Sequence, residues 1–124
     1  MSRILIADDD VIQLDLRKMV LEFAGHQVDV AVSAIGVIRH IESEPSDLVI
    51  MDLRFPNAIG EPDAGEGMAL IRRIRELGCA TPVIVLSGWP EELYGKPEEG
   101  MVSRILMKPV MTLTLLETIR EVVS

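Results

Sequence analysis

Apolar residues in this chain gather into five short runs separated by longer amphipathic stretches. The runs occupy residues 4–7, 28–32, 48–51, 83–86 and 104–107. Rich in Ile, Val and Leu, and mostly without polar alternation, they predict strands buried on both faces of a parallel sheet. Between the first two, Ile12, Leu16, Met19, Val20 and Phe23 recur at helical spacing. That predicts a helix over 11–24 with this stripe turned inward, Asp10 as its N-cap and Gly25 as its stop. Ser33 caps a second predicted helix with Ile35, Ile38 and Ile41 inward, ended before Pro45.

After the third run, a loop from 54 to 66 leads to a predicted helix over about 67–77. Leu70, Ile71, Ile74 and Leu77 form its stripe and Gly78 closes it. The stretch from 88 to 100 contains Pro90, Gly95, Pro97 and Gly100. Interior proline costs a helix about 3 kcal/mol and glycine about 1 kcal/mol relative to alanine. The fourth helix is therefore expected to be short or unwound, at most a turn around 91–94. A last helix over about 112–123 offers Thr114 and Glu117 as a capping-box pair. Strands alternating with helices at this spacing predict a doubly wound α/β fold around a five-stranded parallel sheet.

Length and composition narrow the class. The 124 residues suit a single domain, here 1–124, with an ordinary globular balance of 48% hydrophobic and 26% charged residues. No apolar stretch has the length of a membrane span, so no membrane insertion is expected. The first strand begins so near Met1 that no signal peptide is expected. Cys79, the single cysteine, cannot form an internal disulfide, which points to the cytoplasm. A net charge of −8 argues against direct binding of nucleic acid.

The chemistry sits where the runs end. The first runs into Asp8, Asp9 and Asp10, the third into Asp52, the fourth into Ser87 and the fifth into Lys108 and Pro109. In open parallel sheets the carboxyl ends of the strands form the ligand crevice, so these polar residues are expected to converge. Two carboxylates about 4 Å apart repel by roughly 4 kcal/mol at an effective dielectric of 20. Compensation must come from cations: Lys108 is one, and a hard divalent ion such as magnesium suits the remaining oxygens. His26 and His40, expected on a turn and on a helix surface, form no softer metal site. Cation, lysine and hydroxyl together make a phosphoryl-binding pocket in which a carboxylate can act as nucleophile and form an aspartyl-phosphate. Asp52, at the end of the middle strand, is the expected nucleophile.

On these residues the whole chain resembles the receiver domain of two-component response regulators, of the single-domain type. The matching features are Asp8-Asp9, Asp52 in Met51-Asp52-Leu53-Arg54, Ser87 in Val85-Leu86-Ser87-Gly88, and Lys108 in Met107-Lys108-Pro109. The resemblance implies a flavodoxin-like sheet of strand order 2-1-3-4-5. It implies a phosphoryl group passed to Asp52 from a phosphohistidine on a partner histidine kinase or histidine phosphotransfer protein, switching contacts with a downstream protein target. It also implies that Asp9, Asp52 and the backbone carbonyl of Arg54 hold Mg2+, with Asp8 acting through a bound water. Ser87 and Lys108 would bind the phosphoryl oxygens, and the Lys108-Pro109 bond would be cis. Such a protein is no enzyme in the usual sense, since it catalyses only its own phosphorylation and dephosphorylation.

Three departures stand out. Ile105 occupies the position three before the lysine where the family commonly has an aromatic residue. The fourth helix is broken. The 56–67 loop exceeds the family's usual connection by about seven residues; its Asp63, Glu61 and Glu66 are expected in solvent rather than near a metal. Trp89 and Arg54, each two residues beyond Ser87 and Asp52, border the phosphoryl position in this family. Trp89 either shields an acyl phosphate there or packs under the broken helix beside Pro90. An alternative to the phosphorylated switch is a receiver-like protein-binding module that works without phosphate. A dehalogenase-type phosphatase needs a second acid where Arg54 stands, and a dinucleotide enzyme needs a Gly-rich loop where the aspartates stand.

Overall fold

In the computed structural model, which describes residues 2–123, five parallel strands form the central sheet. The elements in chain order are β1 (Arg3–Ala7), α1 (Val11–Phe23), β2 (Gln27–Ala31), α2 (Ala34–Ser43), β3 (Leu48–Asp52), β4 (Phe55–Pro56), β5 (Pro62–Asp63), α3 (Ala64–Glu76), β6 (Val83–Ser87), β7 (Arg104–Met107) and α4 (Thr112–Val123). The sheet order is β2-β1-β3-β6-β7, which is the expected 2-1-3-4-5 order of the five main strands. Alternate side chains point to opposite faces, so each long strand feeds two cores. Leu5, Val49, Met51, Val83 and Val85 pack with Val37 of α2 and Leu70, Ile71 and Ile74 of α3. Ile4, Ile6, Ile50, Ile84 and Leu86 pack with Leu14 and Leu21 of α1 and Leu115 and Ile119 of α4.

Two caps stand as expected. Asp10 Oδ1 accepts the Gln13 N–H at 3.2 Å, and Ser33 Oγ accepts the Gly36 N–H at 3.1 Å. Gly25 and Gly78, just past α1 and α3, take positive φ.

The inward stripes differ from expectation. Leu14 and Leu21 are the buried residues of α1, whereas Ile12, Leu16, Met19 and Phe23 lie in solvent, Phe23 at 96% exposure. The helix carries apolar residues on two faces, so periodicity alone could not choose between them. In α2, Val37 is buried while Ile35 is exposed. Thr114 lies inside α4, where the Thr118 hydroxyl donates to its carbonyl, so the expected capping box is not formed.

The long connection after β3 is a structured hairpin and not a bare loop. β4 pairs with β5 antiparallel, and Asn57 Oδ1 accepts the N–H groups of Ile59 and Glu61 across the turn. Asp63 then caps α3 three residues earlier than expected, its Oδ1 accepting the Gly65 N–H at 2.8 Å. Within α3, Gly67 lies against β3: a Cβ there would fall 2.0 Å from the Leu53 carbonyl oxygen. Only glycine lets the helix approach so closely.

The region of the fourth helix holds two short 3-10 turns, Pro90–Glu92 and Pro97–Met101. The second lies beyond the single turn expected. Side chains of α3 fasten it. Arg72 pairs with the buried Glu98 at 3.0 Å, and Arg75 donates to the carbonyls of Met101, Cys79 and Thr81.

Candidate functional site

Each site residue follows from its strand. β1, β3 and β6 lie side by side, so Asp8, Asp52 and Ser87 emerge at one edge of the sheet. Lys108 leaves β7 through a Lys108-Pro109 peptide that is cis, and its backbone N–H donates to the Ser87 carbonyl at 2.8 Å. These residues line one cleft of about 490 Å³ together with Asp9, Asp10, Arg54, Pro62, Gly88 and Trp89. The structure thus brings together all six residues singled out from the sequence: Asp8, Asp9, Asp52, Arg54, Ser87 and Lys108.

Lys108 sits between the carboxylates. Its Nζ lies 3.2 Å from Asp52 Oδ2 and 3.4 Å from Asp8 Oδ2. Carboxylate oxygens of Asp8, Asp9 and Asp52 lie within 4.8 Å of one another. Three hard oxygen donors suit magnesium and offer nothing to a soft metal, so the residues present fit the ion that the fold family implies. Partial desolvation, together with repulsion from Asp8 and Asp52, raises the Asp9 carboxyl above its ordinary pKa. Ser87 is buried at the cleft and its Oγ accepts the Trp89 N–H at 3.0 Å.

Arg54 and Trp89 form the rim. The Arg54 guanidinium carbon lies 3.6 Å from the Trp89 ring centroid, a cation–π stack. Arg54 Nε also donates to Glu92 at 2.9 Å, and that hydrogen bond holds the guanidinium's pKa up. Trp89 is half exposed while Pro90 is buried, so the indole borders the cleft and does not pack beneath the 3-10 turn.

Sequence reasoning missed several participants. Pro62 reaches the cleft because the hairpin folds back. Glu92 anchors Arg54 from a segment with no readable periodicity. Arg17, on α1, donates from Nη1 to Asp8 Oδ2 at 3.1 Å, and no local signal distinguished it from a surface arginine. Asp63, Glu61 and Glu66 are absent from the cleft lining, Asp63 serving as the α3 cap. His26 lies just after the turn that follows α1 and His40 lies on α2, both partly exposed. His40, with Asp29 and Glu44, places ligand atoms within 4.8 Å of one another, but Arg3 already pairs with both acids there.

Comparison with known proteins agrees with this geometry. The family model described as the response regulator receiver domain matches residues 4–120. The chain belongs to that family. It is 31% identical over 96 residues to the virulence transcriptional regulatory protein PhoP of Salmonella typhimurium, covering 75% of this chain and 40% of that protein. It is 30% identical over 125 residues to the sensory/regulatory protein RpfC of Xanthomonas campestris, covering 96% of this chain and 16% of that one. The chain therefore spans well under half of these curated relatives. Among solved structures, a CheY-like receiver domain from Methanospirillum hungatei superposes with a TM-score of 0.79 at 31% identity, covering 98% of this chain and 92% of that one. The Thermotoga maritima response regulator TrrA, solved in complex with Mg(2+)-BeF, superposes with a TM-score of 0.84. At 22% identity, over 98% of this chain and 99% of that one, TrrA shares the fold. No helix among the described residues is long and apolar enough to cross a membrane.

Proposed function

We propose that this receiver accepts a phosphoryl group on Asp52 from the phosphohistidine of a partner histidine kinase or histidine phosphotransfer protein. The phosphorylated form then alters its contacts with a downstream protein. The observation that carries this reading is Lys108 Nζ standing between Asp52 and Asp8 in a cleft that also holds Ser87. An in-line transfer needs positioning and charge neutralisation more than covalent help. Lys108 and the Ser87 hydroxyl bind phosphoryl oxygens, and Asp52 supplies the attacking oxygen. Asp8, Asp9, Asp52 and the Arg54 carbonyl would hold Mg2+, which when bound would neutralise charge on the transferring group. The protein acts on itself in this scheme, gaining and losing its own phosphate in the cytoplasm.

Ile105 supports a second reading, a binding module that needs no phosphate, since no aromatic ring stands there to report the state of the pocket. Intact-mass spectrometry after incubation with a small acyl phosphate and magnesium separates the two. The phosphorylated switch gains one phosphoryl group, and Asp52→Asn gains none. An unmodified parent protein would sink the switch; a modified Asp52→Asn variant would mean another residue is the nucleophile.

A further inference from the structure

Arg17, like its neighbour Lys18, is a charged residue on the inward stripe of α1. It lies between Leu14 and Leu21, three residues after one and four before the other, and its side chain is only 15% exposed. Its partner is Asp8, itself 1% exposed. The hydrogen bonds of Asp8 leave little acceptor capacity for a metal-bound water: Oδ1 accepts the Asp10 N–H at 2.9 Å, and Oδ2 receives Arg17 at 3.1 Å and Lys108 at 3.4 Å. Lys108 is shared with Asp52, so Arg17 is the cation that belongs to Asp8 alone. The charge of this buried carboxylate is thus already compensated by side-chain cations.

A divalent cation among Asp8, Asp9 and Asp52 would meet a tethered positive charge already on one of them. The guanidinium has somewhere to go. A second cleft of about 480 Å³ shares Asp10 and Lys108 with the first and is also lined by Gln13, Arg17 and Pro109. We propose that Arg17 is a built-in rival of the divalent cation. It occupies Asp8 when the metal is absent and withdraws into this second cleft when the metal binds, setting the magnesium concentration at which the pocket loads. Arg17 acts here as a positioning residue, and the inference rests on the metal-holding role proposed above for the acidic cluster.

Calorimetric titration of the full chain with magnesium chloride tests it. Arg17→Met binds magnesium at least tenfold more tightly than the parent, and Arg17→Lys, which keeps a cation, stays within a few-fold of it. Equal or weaker binding by a folded Arg17→Met overturns the inference, because it would make Arg17 a mere support for Asp8. The unmodified protein supplies a second readout that no folding defect can spoil. The Arg17 Nε–H resonance shifts and exchanges faster with water as magnesium saturates the site; an unmoved signal during metal binding overturns the inference equally. If neither parent nor variant takes up magnesium, the acidic cluster is no metal site and the role of Arg17 falls with it.

Discussion

Gly67 shows how one missing side chain positions the acceptor strand. With no Cβ, α3 presses directly on the backbone of Leu53, the residue after Asp52. Gly67→Ala must push helix and strand apart, and thermal or urea unfolding should register a loss of about 2 to 3 kcal/mol, the upper part of the overpacking range. Stability indistinguishable from the parent would show that the two backbones are not in that contact. Glu98 makes a different point, about charge. Its hydrogen bond from Arg72 holds the carboxyl below its ordinary value of 4.5. A carboxylate depressed in the folded state stabilises above the unfolded pKa and loses that contribution as pH falls through the folded one. Glu98→Gln should therefore be less stable than the parent at neutral pH, with the gap closing well below 4.5. A gap that stays constant with pH would remove the ion pair from the account.

Helix α1 marks the limit of pattern reading at the scale of an element. Its apolar residues fall on two stripes, and the one chosen by counting, Ile12, Leu16, Met19 and Phe23, faces solvent. Docking against the sheet buries Leu14 and Leu21, and that rotation also carries Arg17 to Asp8. Phe23→Ser should accordingly change stability by no more than about 0.5 kcal/mol. Leu21→Ala, which empties a fully buried site, should cost 2–5 kcal/mol, that is, about 2 kcal/mol or more. The reverse ranking in chemical unfolding would show that the helix is rotated. The strands were easier to read: buried runs in a parallel sheet carry their identity in composition, and the four runs ending in Asp, Asp, Ser and Lys marked the cleft at once. The hairpin after β3 escaped notice because each of its strands is two residues long, too short for alternation to register. Likewise Glu92 and Glu98 gain their roles from Arg54 and Arg72 in distant elements, a pairing that no local pattern carries.

Across the whole molecule, three neighbouring strands and a fourth at the sheet edge deliver two acids, a hydroxyl and an ammonium to one cleft, with Asp9 alongside. The fold does this by strand order alone: β1, β3, β6 and β7 are consecutive, so their carboxyl ends are consecutive too. The remodelled 88–103 region adds a connection of its own, since Arg54 at the cleft rim is bonded to Glu92 while α3 holds Glu98 and Met101. A crystal structure of the protein with magnesium and beryllofluoride tests the central claim most directly. The account predicts beryllium joined to an Asp52 carboxylate oxygen, fluorine atoms within hydrogen-bond reach of Lys108 Nζ and Ser87 Oγ, and a metal ion bound by Asp9 and Asp52. Beryllofluoride on another residue, or a cleft unchanged at saturating ligand, would contradict it.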